Sequence, residues 1–279
     1  MPRPPASDPP SGPGTAGPRA GGGVRAWVEH IMGTAVSIAV CTEDAGPPGP
    51  PPLADQAVEE AVQEAFATLR RADALFSPFR SDSQISRLRD GRTSLERCDP
   101  DVRGVLMLCE DLRRSTGGCF DVCAAGPDLL DPCGVVKGWA AERASDLLCA
   151  AGAWSHYVNA GGDVRLRGRP ARERLWRVGI ADPHRSGCLL ATVDGSDLAV
   201  ATSGTAERGA HVLDPRRGVP ALALASVTVI GPSLALADAY ATAAVAMGAR
   251  ALPWLTGLDA YEALVVDAAG AVHRTPGFP

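Results

Sequence analysis

"SVTVIGPSLALADAYATAAVAMGA", Ser226 to Ala249, changes its period halfway along. Ser226 to Ile230 is rich in β-branched residues, the composition of a buried strand. Gly231 and Pro232 interrupt it and Ser233 is a good helix N-cap, so residues 233–250 are predicted to run on as a helix of small apolar side chains. Asp238 and Thr242 break that apolar surface four residues apart, and so share one helix face. Asp238 lies beyond the first turn, where stabilisation by the helix dipole has faded. A buried, unpaired carboxylate is costly and calls for a cation. Two oxygen donors one turn apart suit a hard ion such as Mg2+, which completes its shell with phosphate and water. The same residues also fit a plain acidic helix start with a Thr bonded to its own backbone.

Outward from this stretch, "WVEHIMGTAVSIAVC" (27–41) alternates and is predicted to be a first strand. "ADQAVEEAVQEAFATLRRADALF" (54–76) has helical apolar spacing, and "SPFRSDSQISRL" (77–88) ends it. Residues 100–115 and 134–152 are two further helices, closed by Gly117-Gly118 and by Gly152. "HYVNAGGDVRLRG", "WRVGIADP", "CLLATVDGSDLAVATSG" and "ALASVTVIGP" are strands separated by Gly-rich turns, and "EALVVDAAGAVHRTPG" is a closing hairpin. Strands and helices do not alternate as βαβ units. The expected class is therefore α+β, a layered mixed sheet with packed helices.

The chain has 279 residues, 46% hydrophobic and 21% charged, with a formal net charge of −5. That excludes a broad basic surface for nucleic acid, so a bound anion must be handled locally. Residues 1–23 are Pro/Gly-rich and are expected to be a disordered tail, leaving residues 24–279 as a single domain. No stretch qualifies as a signal peptide, lipobox or membrane span, so a cytoplasmic protein without membrane insertion is expected. Cys119, Cys123 and Cys133 are close in sequence, but their spacing fits no zinc pattern, and small buried side chains are the plainer reading.

No GxGxxG follows a strand, and P-loop, HExxH and GxSxG motifs are absent. In "DPCGVVKGWA", Asp131 and Lys137 flank Gly134 where a helix begins. Backbone N–H groups plus a lysine there make an anion site, or else only a cap and a surface lysine. In "STGGCFDV", Phe120 could floor a flat ring and Asp121 accept a hydrogen bond from it. "YVNAGGDVRLRG" turns beside Asn159 and Asp163. "VATSGTAERGAHVLDPRRG" holds Ser203 and His211, a weak hydrolase pair without a nucleophile elbow.

Taken in order, "HIMGT", "FSPFRSDSQISRL", "TGGCFDV", "DPCGVVKGWAAERASDLL", "VNAGGDVR", "WRVGIADP", "VATSG…ER…HVLDPRRG" and "SVTVIGPSLALADAYATA" resemble the FAD:protein FMN transferase (ApbE) family over roughly residues 28–250. The resemblance implies an ApbE-like, T-fold-like architecture. It implies Mg2+-dependent transfer of FMN from FAD to a Thr or Ser hydroxyl of an acceptor flavoprotein with an FMN-binding domain, releasing AMP. It places metal ligands on Gly134 (backbone oxygen), Asp238, Ala241 (backbone only) and Thr242. It places FAD contacts on Met32, Phe79, Gly118, Cys119, Phe120, Asp121, Asp131, Lys137, His211 and Val212, with Asp238, His211 and Lys137 as the catalytic set. Phe79 stands where Tyr is usual, and Pro132-Cys133 where Leu-Gly is usual. An acceptor in the family carries an acidic residue followed by Thr/Ser-Gly-Ala-Thr/Ser. The nearest stretch here, "TSGTA" (Thr202–Ala206), lacks the Ala, so the acceptor is expected to be another protein. The same site would also serve an FAD pyrophosphatase that uses water, or a protein that binds FAD without turnover.

Overall fold

The expected first strand is a hairpin: β1 (Val24–Ile31) and β2 (Thr34–Cys41) pair antiparallel throughout. Met32 and Gly33 form the turn with φ of 55° and 71°. Positive φ at both positions is the two-residue turn whose twist suits a hairpin. The alternation runs unbroken through Met32-Gly33, which is why the sequence reads as one strand. The computed structural model describes residues 23–42, 53–126, 128–205, 209 and 212–279. The expected tail, apart from Gly23, lies outside the described residues, as does most of the loop expected before the first helix.

Helix α1 (Asp55–Phe76) buries Val58, Val62, Phe66, Leu69 and Phe76 as a helical stripe. α2 (Gln84–Arg89) arises where only a break was expected, capped by Ser83, whose Oγ accepts the Ser86 N–H at 3.0 Å. α3 (Pro100–Ser115) matches the expected span, with Asp99 as its cap and Pro100 in its first turn. α4 (Cys133–Ala150) is followed by Gly152 at φ +94°. Then come β3 (His156–Ala160), β4 (Asp163–Arg167), β5 (Trp176–Ala181), β6 (Leu189–Gly195), β7 (Ala199–Gly204), β8 (Leu213–Asp214), β9 (Val219–Pro220) and β10 (Leu224–Gly231). α5 (Leu234–Met247), α6 (Ala251–Thr256), β11 (Glu262–Asp267) and β12 (Val272–Arg274) complete the order. No helix among the described residues is long and apolar enough to cross a membrane.

The α+β layering is as expected, but the main sheet is antiparallel in every pairing rather than mixed. Its order is β1-β2-β3-β4-β7-β10-β11-β12. Alternate residues serve two layers. Ala199, Ala201, Val227, Val229, Ala263 and Val265 join the core beneath α1, α4 and α5. Val200, Leu264 and Val266 pack instead with Ile180 and Val193 of the β5–β6 hairpin on the other face. All eight residues of β10 are buried, as its apolar run implies.

The close packing of α4 on α5 depends on Gly138. A Cβ there would lie 2.5 Å from the Leu234 carbonyl oxygen and 2.9 Å from Asp238 Cβ. α4 is also tied to β4 by charge. Asp163, Arg165 and Arg167 share one strand face and pair with Lys137 (2.6 Å), Glu142 (3.5 Å) and Asp146 (2.8 Å) of the helix. A further polar tie is wholly buried. Ser145 lies 2.8 Å from His156 Nε2, and the other ring nitrogen lies 2.6 Å from the Ala153 carbonyl oxygen.

Gly138→Ala is expected to cost about 1–3 kcal/mol by overpacking. Gly104→Ala, inside α3 where a Cβ would meet nothing within 4 Å, is expected instead to add about 0.5–1 kcal/mol. Denaturant unfolding of both variants measures the contrast, and a neutral Gly138→Ala contradicts the close crossing. His156 sets a pH dependence. Burial pushes its pKa from 6.5 down to about 4. Within that window the unfolded chain takes up a proton that the folded ring refuses. Stability is therefore complete above the window and falls as the pH drops through it, by on the order of 3 kcal/mol in all. Urea unfolding at pH 7 and pH 4.5 is expected to show a smaller acid loss in His156→Gln than in the wild type; equal losses remove His156 as the cause.

Candidate functional site

The turns of β1–β2 and β3–β4, the end of β7 and the start of α4 meet at one end of the sheet, around a cleft of about 850 Å³. Gly161 and Gly162, at φ +59° and +97°, let the β3–β4 turn lie against Thr34, so both hairpin turns reach the cleft.

The N-terminus of α4 opens into this cleft. Asp131 Oδ1 accepts the Cys133 N–H at 2.9 Å, which shapes the turn into the helix around Pro132. Gly134 comes next, where a Cβ would stand 3.2 Å from both Phe120 Cε2 and Thr242 Cγ2. Glycine thus brings α4 backbone against α5 at the level of Thr242.

Asp238 is 3% exposed, and its Oδ2 accepts the Gly138 N–H at 3.0 Å. In a helix that amide points at the carbonyl four residues back, which is Gly134's. The carboxylate, the Gly134 backbone and the Thr242 hydroxyl are therefore brought together by the α4–α5 crossing. Thr242 Oγ1 lies 3.0 Å from Ser203 Oγ on β7. The sequence reading considered Ser203 only as a hydrolase nucleophile; in the fold its hydroxyl is engaged by Thr242. Asp238, Thr242, Gly134 and Ser203 all line the cleft.

Lys137 lines the cleft too, but with its ammonium 2.6 Å from Asp163, a carboxylate only 1% exposed. Asp163 Oδ1 also accepts the Thr202 N–H at 3.0 Å. Among the described residues the lining carries five aspartates, Asp73, Asp121, Asp131, Asp182 and Asp238, against the single cation Lys137. Asp182 is bridged outward by Arg185 at 2.7 Å. The cleft is acidic, and its lysine is already paired.

Met32, Phe79, Cys119, Phe120, Asp121, Asp131 and Val212, placed among the FAD contacts by the family resemblance, line the cleft. Gly118, at φ +81°, shapes the turn before Cys119 without lining the cleft, and the side chain of Ala241 is buried in the core. His211 lies outside the described residues. Phe120 is 4% exposed and packs over Gly134, so it offers little face to a ring, whereas Phe79 is 92% exposed at the cleft's edge. No three His, Cys, Asp or Glu residues are grouped to hold a metal among the described residues, Cys119, Cys123 and Cys133 included. Burial, with Asp121 adding to it, pushes the Cys123 thiol up, away from the thiolate a soft metal needs.

The oxygen donors present are one carboxylate, two hydroxyls and a backbone carbonyl. Such a set does not cage an ion alone. It fits a cation that takes few protein ligands and completes its shell with phosphate and water, which is how Mg2+ is held.

The sequence profile of the ApbE family matches residues 32–128 and 124–265. The FAD:protein FMN transferase of Rhodobacter capsulatus is 33% identical over 156 residues, covering 53% of this chain and 30% of that protein. That of Salmonella typhimurium is 34% identical over 135 residues, covering 44% and 39%. The alignments thus span about a third of these relatives. In fold, the chain is similar to the flavin transferase ApbE from Vibrio cholerae, with a TM-score of 0.78 at 23% identity over 91% of this chain and 98% of that one. It is also similar to the ApbE protein from Thermotoga maritima, with a TM-score of 0.77 at 22% identity over 91% and 97%. With the family profile covering well over half of the chain, the protein belongs to the ApbE family.

Proposed function

We propose that this chain is an FAD:protein FMN transferase that works with Mg2+. The observation that carries this reading is the cleft's charge. A dinucleotide pyrophosphate entering a cavity whose described lining holds five aspartates, one of them paired with Arg185, and one paired lysine meets net repulsion, unless a cation is bound with it. The residues suited to hold that cation are Asp238, Thr242 and the Gly134 carbonyl. Bound there, Mg2+ would neutralise phosphate charge and orient the pyrophosphate for in-line displacement.

The chain's own residues supply the rest. The α4 N-terminus and Lys137, which lines the cleft beside it, are the groups suited to the phosphates. Phe79 offers an open face for the flavin, and the absence of a hydroxyl there leaves stacking without a hydrogen bond. The hydroxyl oxygen of an acceptor Thr or Ser attacks the FMN phosphorus. A new P–O bond forms, the bond to the AMP phosphate oxygen breaks, and AMP leaves. The hydroxyl proton passes to a base, either a cleft carboxylate or His211. A hydroxyl fixed within this cleft cannot readily align with the bound phosphate, so the acceptor is a separate flavoprotein.

Incubation with FAD, Mg2+ and an acceptor FMN-binding domain tests the reading. AMP release and an FMN mass increment on the acceptor support it. AMP release without the increment means hydrolysis by water, and an adduct on this chain alone overturns the separate acceptor. Asp238→Asn is expected to lower Mg2+-dependent AMP release by more than about 100-fold, since even residues behind metal ligands count for 10–100-fold; normal turnover in this variant removes Asp238 from the site. Lys137→Met removes the cation paired with the buried Asp163 carboxylate and is expected to cost about 3–5 kcal/mol of stability. Adding Asp163→Asn is expected to restore most of that stability while FAD affinity remains weakened and riboflavin affinity does not. Equal losses for both ligands would make Lys137 purely structural.

A further inference from the structure

Three contacts join α4 to α5, at regular intervals along both helices. Gly134 lies against Thr242, Gly138 against Asp238, and Glu142 against the start of α5. On α4 these are every fourth residue, and on α5 they run in reverse order, from Thr242 through Asp238 to the Ser233–Ala235 start, so they are rungs of one antiparallel crossing. The first two rungs are glycine contacts. They permit close approach, and the second adds the Gly138 N–H to Asp238 hydrogen bond, which involves a proposed ligand itself.

The third rung is polar and directional. Glu142 Oε2 accepts from the Ser233 hydroxyl at 2.6 Å and from the Ala235 N–H at 3.1 Å. Ser233 is the N-cap of α5. The other oxygen, Oε1, lies 3.5 Å from Arg165 Nε on β4, an arginine only 3% exposed. One carboxylate thus ties the sheet, the middle of α4 and the first turn of α5 together.

We propose that Glu142 is a positioning residue for the cation site, an inference that rests on the functional reading above. It stands two turns, about 11–12 Å along the helix axis, from Gly134, and touches none of the proposed ligands. It acts by fixing where α5 begins against α4. That determines whether Asp238 and Thr242 arrive level with the Gly134 carbonyl. A residue that merely capped α5 would affect stability alone, whereas a residue that sets the register affects how tightly the assembled donors hold Mg2+.

The test is the Mg2+ concentration that half-saturates the tightening of FAD binding, measured by titration calorimetry, with riboflavin as a ligand that lacks phosphate. Glu142→Ala is expected to raise that concentration by about 10-fold or more, with riboflavin affinity unchanged. Glu142→Gln keeps an oxygen for Ser233 and Ala235 and is expected to recover most of the loss. If Glu142→Ala does not fold, Ser233→Ala carries the test, since it removes the hydroxyl from the rung and leaves the Arg165 pair. A raised Mg2+ requirement in that variant supports the inference, and a wild-type requirement overturns it. A folded Glu142→Ala protein with wild-type Mg2+ dependence, or with equal losses for FAD and riboflavin, also overturns it while leaving the functional reading standing. A wild-type protein whose FAD binding ignores Mg2+ overturns the functional reading and this inference with it.

Discussion

The contact between Gly138 and the first turns of α5 is the constraint on which the site depends. With no side chain at 138, the Leu234 carbonyl and Asp238 come against α4 backbone, and the Gly138 amide becomes a donor to the Asp238 carboxylate. Asp238 is then held at 3% exposure beside the Gly134 turn. A larger residue would part the helices and separate donors that sit on different elements. The small side chains of α5, apolar on every face, serve the same end. A helix buried all round can be approached closely from several directions, and α4, β7 and β10 all pack on it.

Electrostatics then narrows the chemistry. Burying charge is favourable only when it is paired, and the fold pairs Lys137 with Asp163, Arg165 with Glu142 and Arg167 with Asp146 along one face of β4. These pairs anchor α4, and one of them takes up Lys137, the single cation of the described cleft lining. What remains in the lining is acidic. On the function proposed above, an anionic ligand enters this cavity as a complex with a divalent ion. That agrees with a family whose named relatives act on FAD.

Much of this was legible in the sequence, and the exceptions share a cause. The end of α3 is legible in the sequence because the glycine pair at 117–118 is a local signal, and the structure adds Asp99 and Pro100 at its start. The β11–β12 hairpin and the Asp238–Thr242 spacing were likewise carried by local pattern. Partners distant in the chain were not. Glu142 meets Ser233 across 91 residues, and Thr242 meets Ser203 across 39. No periodicity within one segment encodes either meeting. Lys137 reads from sequence as part of an anion site or as a surface lysine, because its buried partner Asp163 lies on another element. The short α6 went unread because Pro253 looks like a breaker, although proline is tolerated in a helix's first turn.

The central claim is that the cleft accepts a pyrophosphate only together with a divalent cation. Equilibrium binding of FAD and of riboflavin by the wild-type protein, each in Mg2+ and in EDTA, tests it directly. The account expects FAD to bind far more tightly in Mg2+ while riboflavin binds alike in both. FAD binding of equal strength in EDTA would contradict it.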